Sequence, residues 1–192
     1  MGVMKHKKLK RLRYIIIFLL FIALIVLVLD NTAHLMFPLK YKEYITEYSK
    51  KNKVDPYLVL AVIKVESNFD PDAVSRKNAR GLMQISEKTG AWGAEKLKLE
   101  SYNAESLFDP ETNISLGCWY LNVLSKEFNG NQQLILAAYN GGSGNVNDWL
   151  KNEIYSSSGK SLDKIPFKET EIYVKKVQNY LLIYKKLYEN FF

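Results

Sequence analysis

A mainly α-helical fold is what this sequence predicts, on three observations. Apolar residues recur at helical spacing through most of the chain. Residues that cap helices stand ahead of those runs, and strand-type alternation is absent beyond one weak stretch.

The chain opens on a basic segment, residues 1–13, in which Lys5, Lys7, Lys8, Lys10, Arg11 and Arg13 occur with no acidic residue. Tyr14 to Leu29 follows as an unbroken apolar stretch that ends at Asp30. A basic flank before an apolar run predicts a transmembrane anchor over 14–29, with the flank in the cytoplasm and the remainder outside. Sixteen residues are somewhat short against the usual ~17–25, a gap that thinning of the bilayer and an interfacial Thr32–Phe37 would close. The competing reading is a cleaved signal peptide, but no small-x-small site follows Leu29: Asp30, His34 and Leu35 stand where small residues are needed. No cysteine lies near the segment's end, which argues against a lipoprotein.

Of the net charge of +7, the basic flank supplies six, leaving one for everything beyond it. The basic character therefore reports a membrane flank and gives no reason to expect nucleic-acid binding. A short tether, residues 30–40, leads to a single domain over 41–192, long enough for one core. Cys118 is the only cysteine, so the domain has no internal disulfide. Its helical spacing with Ile114, Leu121 and Phe128 makes it a core residue rather than a nucleophile.

Within the domain, Leu39–Lys50 and Pro56–Glu66 form an opening helix pair, the second capped by Asp55 with Pro56 at the first helical position. Ser86 caps a helix over Glu87–Leu97, weakened by Gly90 and Gly93. Asp109-Pro110 starts a long helix through Phe128, stopped by Asn129-Gly130. Gln132–Tyr139 is a short apolar helix ending at Asn140-Gly141-Gly142, and a helical turn covers Val146–Leu150. The last helix spans Thr170–Tyr188 with Tyr173, Val177, Tyr180, Leu181 and Tyr184 on one face.

Glu66 is the residue with chemical promise. It ends the apolar run Val59–Val65 just before the break Ser67-Asn68-Phe69-Asp70-Pro71. A carboxyl on the last turn of a buried helix is held rigidly and disfavoured in its ionised form, as a general acid near neutral pH must be. A lone helix-end glutamate is more often a solvated surface group, so the residues around it decide.

Those residues carry a resemblance. Glu66-Ser67, Ser75, Gly81-Leu82-Met83-Gln84-Ile85, Ala138-Tyr139-Asn140, and Glu169-Thr170 with Tyr173-Val174 resemble, in this order, the motifs of Slt-type lytic transglycosylases. These are the goose-lysozyme-like murein lyases of glycoside hydrolase family 23, and the resemblance covers roughly Tyr41 to Tyr188. It implies a lysozyme-like topology with a small β-hairpin over Val74–Ile85, although Arg76–Gly81 has weak strand character. It also implies peptidoglycan glycan strands as substrate, with no cofactor and no metal; the basic flank and apolar stretch add a bacterial cell membrane as the location, with a single pass and the catalytic domain extracytoplasmic. Protein partners are left open.

Ordinary glycosidases use two carboxylates. The resemblance implies that Glu66 alone does both proton transfers. It would protonate the bond between N-acetylmuramic acid and N-acetylglucosamine, then deprotonate the muramyl C6 hydroxyl as a 1,6-anhydro ring closes. Asp70 and Asp72, both beside Pro71, read better as turn residues than as a second carboxylate. The resemblance places Ser75, Gly81, Met83, Gln84, Tyr139, Asn140, Glu169 and Tyr173 at the saccharide groove. Taken alone, Ser75 and Gly81 read as turn residues, Met83 as core, Tyr139 as packing, and Glu169 as a first-turn glutamate favoured by the helix dipole. Gln84 offers an amide able to donate and accept. Glu169 and Tyr173 are four apart and share a helix face.

Three positions depart from the family pattern: Glu87 stands near a usual proline, Glu171 at a usual arginine, and Gly141-Gly142 at a usual alanine-glycine. Two alternatives stay open beside a membrane-anchored lytic transglycosylase. One is a hydrolytic muramidase of the same fold, and the other a non-catalytic peptidoglycan-binding or secretion-assembly module.

Overall fold

The computed structural model describes the backbone of residues 2–189 and 191–192 and the side chains from Arg13 onward, Asn190 excepted. The side chains of the basic run ahead of Arg13 lie outside the described residues. The chain divides into two compact units, Met1–Leu39 and Lys40–Phe192.

The first unit is one helix, α1, Gly2–Met36. Its segment Arg13–Met36, 24 residues, is long and apolar enough to cross a membrane. At 1.5 Å per residue it measures about 36 Å, against a hydrocarbon core of roughly 30 Å. The expected end at Leu29 is passed because nothing there breaks a helix. Asn31 and Thr32 donate back to the Leu27 and Leu29 carbonyls, and Asp30 and His34 pair one turn apart at 3.8 Å. The helix stops at Met36, ahead of Pro38, whose ring disfavours helical backbone at the residue before it. Most of the expected tether is therefore helical.

The second unit is helical throughout: α2 Lys42–Asn52, α3 Pro56–Glu66, α4 Glu87–Leu97, α5 Pro110–Glu127, α6 Gln132–Gly141, α7 Ser143–Leu150 and α8 Lys168–Leu187, with a 3-10 turn at Ala104–Phe108. The expected caps close as hydrogen bonds. Asp55 accepts from Tyr57 N (2.9 Å), Ser86 from Thr89 N (3.1 Å) and Asp109 from Thr112 N (2.8 Å). The 3-10 turn lies outside the helices the sequence predicts; Asn103 and Ser106 hold it with a reciprocal capping box.

Helix α3 is the centre of the unit. Leu58 through Ile63 are all buried, and the helix packs between α8 and α2. A helix apolar on every side is a core helix. The Tyr57 hydroxyl donates to the Tyr188 carbonyl and ties the end of α8 to the start of α3. Helix α5 packs against α2, α4 and α6, with Cys118 fully buried in it.

The hairpin over Val74–Ile85 reduces to two isolated antiparallel bridges, Val74 with Arg80 and Arg80 with Ile85, and no strand forms among the described residues. The backbone coils too tightly for a ladder. Asn78, Gly81 and Gln84 all have positive φ, so each bridge closes a turn instead of extending. Gly81 is required on two counts: its φ is +73°, and a Cβ there would stand 2.2 Å from the Leu107 carbonyl oxygen.

Candidate active site

Glu66 is the last residue of α3, and the chain turns away from it at once. Ser67 closes the helix by donating its N–H to the Ile63 carbonyl (3.1 Å), and Asn68 and Phe69 follow with φ of 54° and 66°. The Phe69 ring is buried, and that anchors the reversal. The Ser67 hydroxyl donates to the Leu82 carbonyl (2.8 Å) and so fastens the α3 end to the turn carrying Gly81–Ile85.

The carboxyl opens into a cleft of about 190 Å³ lined by Glu66, Ser75, Arg76, Lys77, Ala79, Gln84, Tyr139, Asn140 and Glu169. Protein surrounds the group on most sides and leaves it a small open face. That burial disfavours the carboxylate and pushes its pKa from 4.5 up to about 7. The nearby Tyr173 hydroxyl opposes the rise, and the charge of Glu169 adds to it. Glu66 is thus substantially protonated at neutral pH and able to surrender that proton.

Each neighbour has a defined commitment. The Ser75 hydroxyl accepts from Lys77 N (3.2 Å) and Ala79 N (3.0 Å), so it builds the turn while keeping its own proton for the cleft. Gln84 spends its amide N–H groups on the Ala73 (3.0 Å) and Gly81 (2.9 Å) carbonyls. The side chain expected both to donate and to accept therefore presents only its oxygen. The Tyr139 hydroxyl donates to the Met83 carbonyl (2.9 Å), and its pKa is raised well above the usual phenol value by burial and the Glu66 charge. Asn140 accepts from Thr170 through Oδ1 (2.8 Å), which turns its amide N–H groups to other partners. Glu169, on the first turn of α8, is exposed.

Three expected groove residues stand behind the cleft wall. The Met83 side chain is fully buried; a Cβ at Gly117 would stand 2.2 Å from its sulfur. The turn points the Met83 side chain inward, and its carbonyl accepts from the hydroxyl of Tyr139, which does line the cleft. Gly81 is confined against Leu107 and Asn113. Tyr173 is buried beside Glu66, its hydroxyl free of any hydrogen bond of full geometry among the described residues. Asp70 and Asp72 do not line the cleft; Asp70 accepts from Asp72 N (3.0 Å) in an exposed turn.

Arg76, Lys77 and Ala79 also line the cleft, and nothing in the sequence pattern singles them out. Asn113 is a further functional residue that the motifs do not contain. Buried in α5, it accepts from Met83 N (2.8 Å) and donates to the Arg80 (2.9 Å) and Leu107 (2.7 Å) carbonyls, setting the turn that carries Gln84. Its sequence signal is an asparagine inside a helix just ahead of Ile114 and Leu116, where that side chain competes with helical backbone bonding unless given another task.

The Transglycosylase SLT domain family matches residues 43–160. The chain belongs to this family. The SLT-domain chain is 34% identical over 151 residues to the soluble lytic murein transglycosylase of Escherichia coli K12, an alignment covering 78% of this chain and 23% of that one. It is 38% identical over 127 residues to the membrane-bound lytic murein transglycosylase C of Photorhabdus laumondii, covering 62% and 34%. The structure of the 70 kDa soluble lytic transglycosylase of Escherichia coli superposes with a TM-score of 0.72 at 32% identity, over 80% of this chain and 25% of that one. An inactive glutamate-to-glutamine mutant of lytic transglycosylase Slt from Pseudomonas aeruginosa superposes with a TM-score of 0.70 at 30% identity, covering 80% and 25%. The chain thus spans about a quarter of the soluble relatives and a third of the membrane-bound one. The mainly α, lysozyme-like fold of the SLT domain agrees with the fold class read from the sequence.

Proposed function

We propose that this chain is a membrane-anchored peptidoglycan lytic transglycosylase. It cleaves the β-1,4 bond between N-acetylmuramic acid and N-acetylglucosamine, with Glu66 as the catalytic residue. One observation carries the reading: a carboxyl raised to about 7 opens into a cleft that Ser75, Gln84, Tyr139 and Asn140 line, all within the segment that matches the SLT family.

Protonated Glu66 delivers its proton to the glycosidic oxygen as the bond to muramyl C1 breaks. The remaining carboxylate then takes the C6 hydroxyl proton, and the C6 oxygen closes on C1 as a 1,6-anhydro ring. No water is consumed. A pKa near the working pH suits a group that must act in both senses. The Ser75 hydroxyl proton and the Asn140 amide supply donors for the N-acetyl and hydroxyl groups of the sugar, and the Gln84 oxygen supplies an acceptor. Tyr139 forms an apolar wall. Gly81, Met83 and Tyr173 act from behind it, holding the wall's backbone and the environment of Glu66.

The apolar helix Arg13–Met36 supports a single membrane span, with the basic flank cytoplasmic and the domain from residue 41 outside. A reporter fused at the C-terminus and active only outside the cytoplasm tests that orientation.

Glu169 favours a second reading, the hydrolytic muramidase, because it places another carboxylate in the same cleft. Mass spectrometry of muropeptides released from purified sacculi by the full-length protein in detergent separates the two. Lyase action leaves 1,6-anhydromuramic ends, lighter by one water than the reducing ends left by hydrolysis.

A further inference from the structure

Tyr139 belongs to two things at once. It lines the cleft, and its ring meets Tyr120 with centroids 5.5 Å apart at 47°. Tyr120 in turn meets Trp119 (6.3 Å, 33°) and Trp92 (6.5 Å, 77°), and the two indoles contact each other at 4.7 Å and 76°. Four rings from α4, α5 and α6 therefore run without a gap from the cleft wall to the surface. Trp119 and Tyr120 are half-buried, and Trp92, on α4, is 42% exposed. Core packing does not account for this, because the ring farthest from the cleft is the most exposed. It is also a tryptophan, whose large apolar face is costly to leave in water.

We propose that Trp92, backed by Trp119 and Tyr120, is an accessory saccharide subsite that continues the cleft and stacks on a hexosamine ring of the same glycan strand. The inference rests on the glycan-cleaving reading of the cleft. A pyranose ring has an apolar face of C–H groups and a polar rim of hydroxyls, so it matches an exposed indole that offers a flat ring and an N–H. Continuity with the cleft through Tyr139 selects a glycan over other occupants: a strand leaving the cleft past Tyr139 meets Tyr120 and then the two indoles. Trp149, the remaining tryptophan, is buried against Phe167 (5.0 Å) and does not belong to the run.

The test uses the full-length Glu66→Gln protein in detergent, so that nothing is cleaved, titrated with β-1,4-linked N-acetylglucosamine oligomers from dimer to hexamer. Binding is read by calorimetry and by tryptophan fluorescence. The proposal expects short oligomers to bind equally well with and without Trp92→Ala. Long ones should lose about 3- to 10-fold in affinity, the range of one aromatic contact, and change tryptophan emission only when Trp92 is present. Trp92→Tyr, which keeps a flat ring, should restore most of the loss and so separates a lost platform from a damaged fold. Hexamer affinity unchanged by Trp92→Ala overturns the subsite alone and leaves the cleft reading standing. Absence of binding by every oligomer overturns both. A concentration-dependent dimer abolished by Trp92→Ala would assign the surface to self-association instead.

Discussion

The carboxyls of Glu66 and Glu169 open on one cleft from the ends of two helices, the first from the last residue of α3 and the second from the first turn of α8. One is enclosed by protein and the other exposed. Burial holds the pKa of Glu66 up, and the charge of Glu169 raises it further. Two carboxyls on one cleft thus stand in very different environments, and the buried one is the one whose proton burial holds.

The first expectation follows from that pair. The starting form of Glu66 carries a proton, so kcat/KM on murein should fall as pH rises through about 7. Glu169→Gln removes the lesser of the two raising causes. The alkaline limb should then move to lower pH while cleavage persists. A pH–rate profile of both proteins decides it; a limb that stays in place means the two carboxyls do not couple.

Glu66→Gln should cost at least the ~10²–10⁴-fold attached to a general acid, because the proposed mechanism uses one group for both steps. Stability should move the other way. The folded protein keeps the Glu66 proton up to about 7, whereas an unfolded glutamate releases it near 4.5. Between those values the folded state binds more protons, so stability falls as pH rises through the window, by up to ~3 kcal/mol in all. Glutamine carries no such penalty. Melting curves should show Glu66→Gln matching the parent at pH 4 and exceeding it at pH 8.

Asn113→Ala should be far more damaging than a typical polar-to-alanine change. It strands the Met83 N–H and the Leu107 carbonyl in the interior and removes one of the two bonds to the Arg80 carbonyl, which keeps the Ile85 N–H (3.1 Å). Unsatisfied buried groups cost about 1–3 kcal/mol each, partly relieved by relaxation, so a loss of roughly 2–4 kcal/mol is expected. The turn that positions Gln84 should loosen with it, lowering kcat below the melting transition. A variant that melts normally would show that water replaces the asparagine.

Caps and periodicity make the helices legible from residue order alone. Asp55, Ser86 and Asp109 each announce a helix, and each closes the bond that its type is favoured for. Glu66 is readable for the same reason, because an apolar run that stops at a carboxylate fixes where the acid stands. The turn over Val74–Ile85 is not readable in this way. Its shape depends on positive φ at Asn78, a residue type that visits that region readily, and at Gln84, which is held there by its bonds to the Ala73 and Gly81 carbonyls. Met83 shows the same limit: spacing in a turn does not say which side chain points inward. Arg76 and Lys77 reach the cleft through that turn, so their place is visible only with it. Tyr120, Trp119 and Trp92 come from two helices, and no periodicity in the sequence brings them together.

The last expectation concerns Gly117, where α5 leaves room for Met83. A methyl group there would stand 2.2 Å from the Met83 sulfur and 2.6 Å from its terminal carbon. Gly117→Ala gains helix propensity of about 1 kcal/mol over glycine, yet it overpacks a side chain that is wholly enclosed, at a cost of about 1–3 kcal/mol. The net effect should be destabilising, and it should reach the site. Met83 must shift its thioether inside an enclosed site, and its Cβ stands only 3.1 Å from the new methyl, so strain passes toward the backbone whose carbonyl fixes the Tyr139 hydroxyl. Activity should therefore fall at temperatures where the protein remains folded. Met83→Ala alone opens a cavity, at roughly 2–5 kcal/mol. Combined with Gly117→Ala, the new methyl occupies part of that space, so the double variant should melt above the value expected from adding the two losses, with a coupling of about 0.5–3 kcal/mol. Thermal melting of the four proteins in detergent measures that coupling. Strict additivity would mean that Gly117 and Met83 do not share this contact.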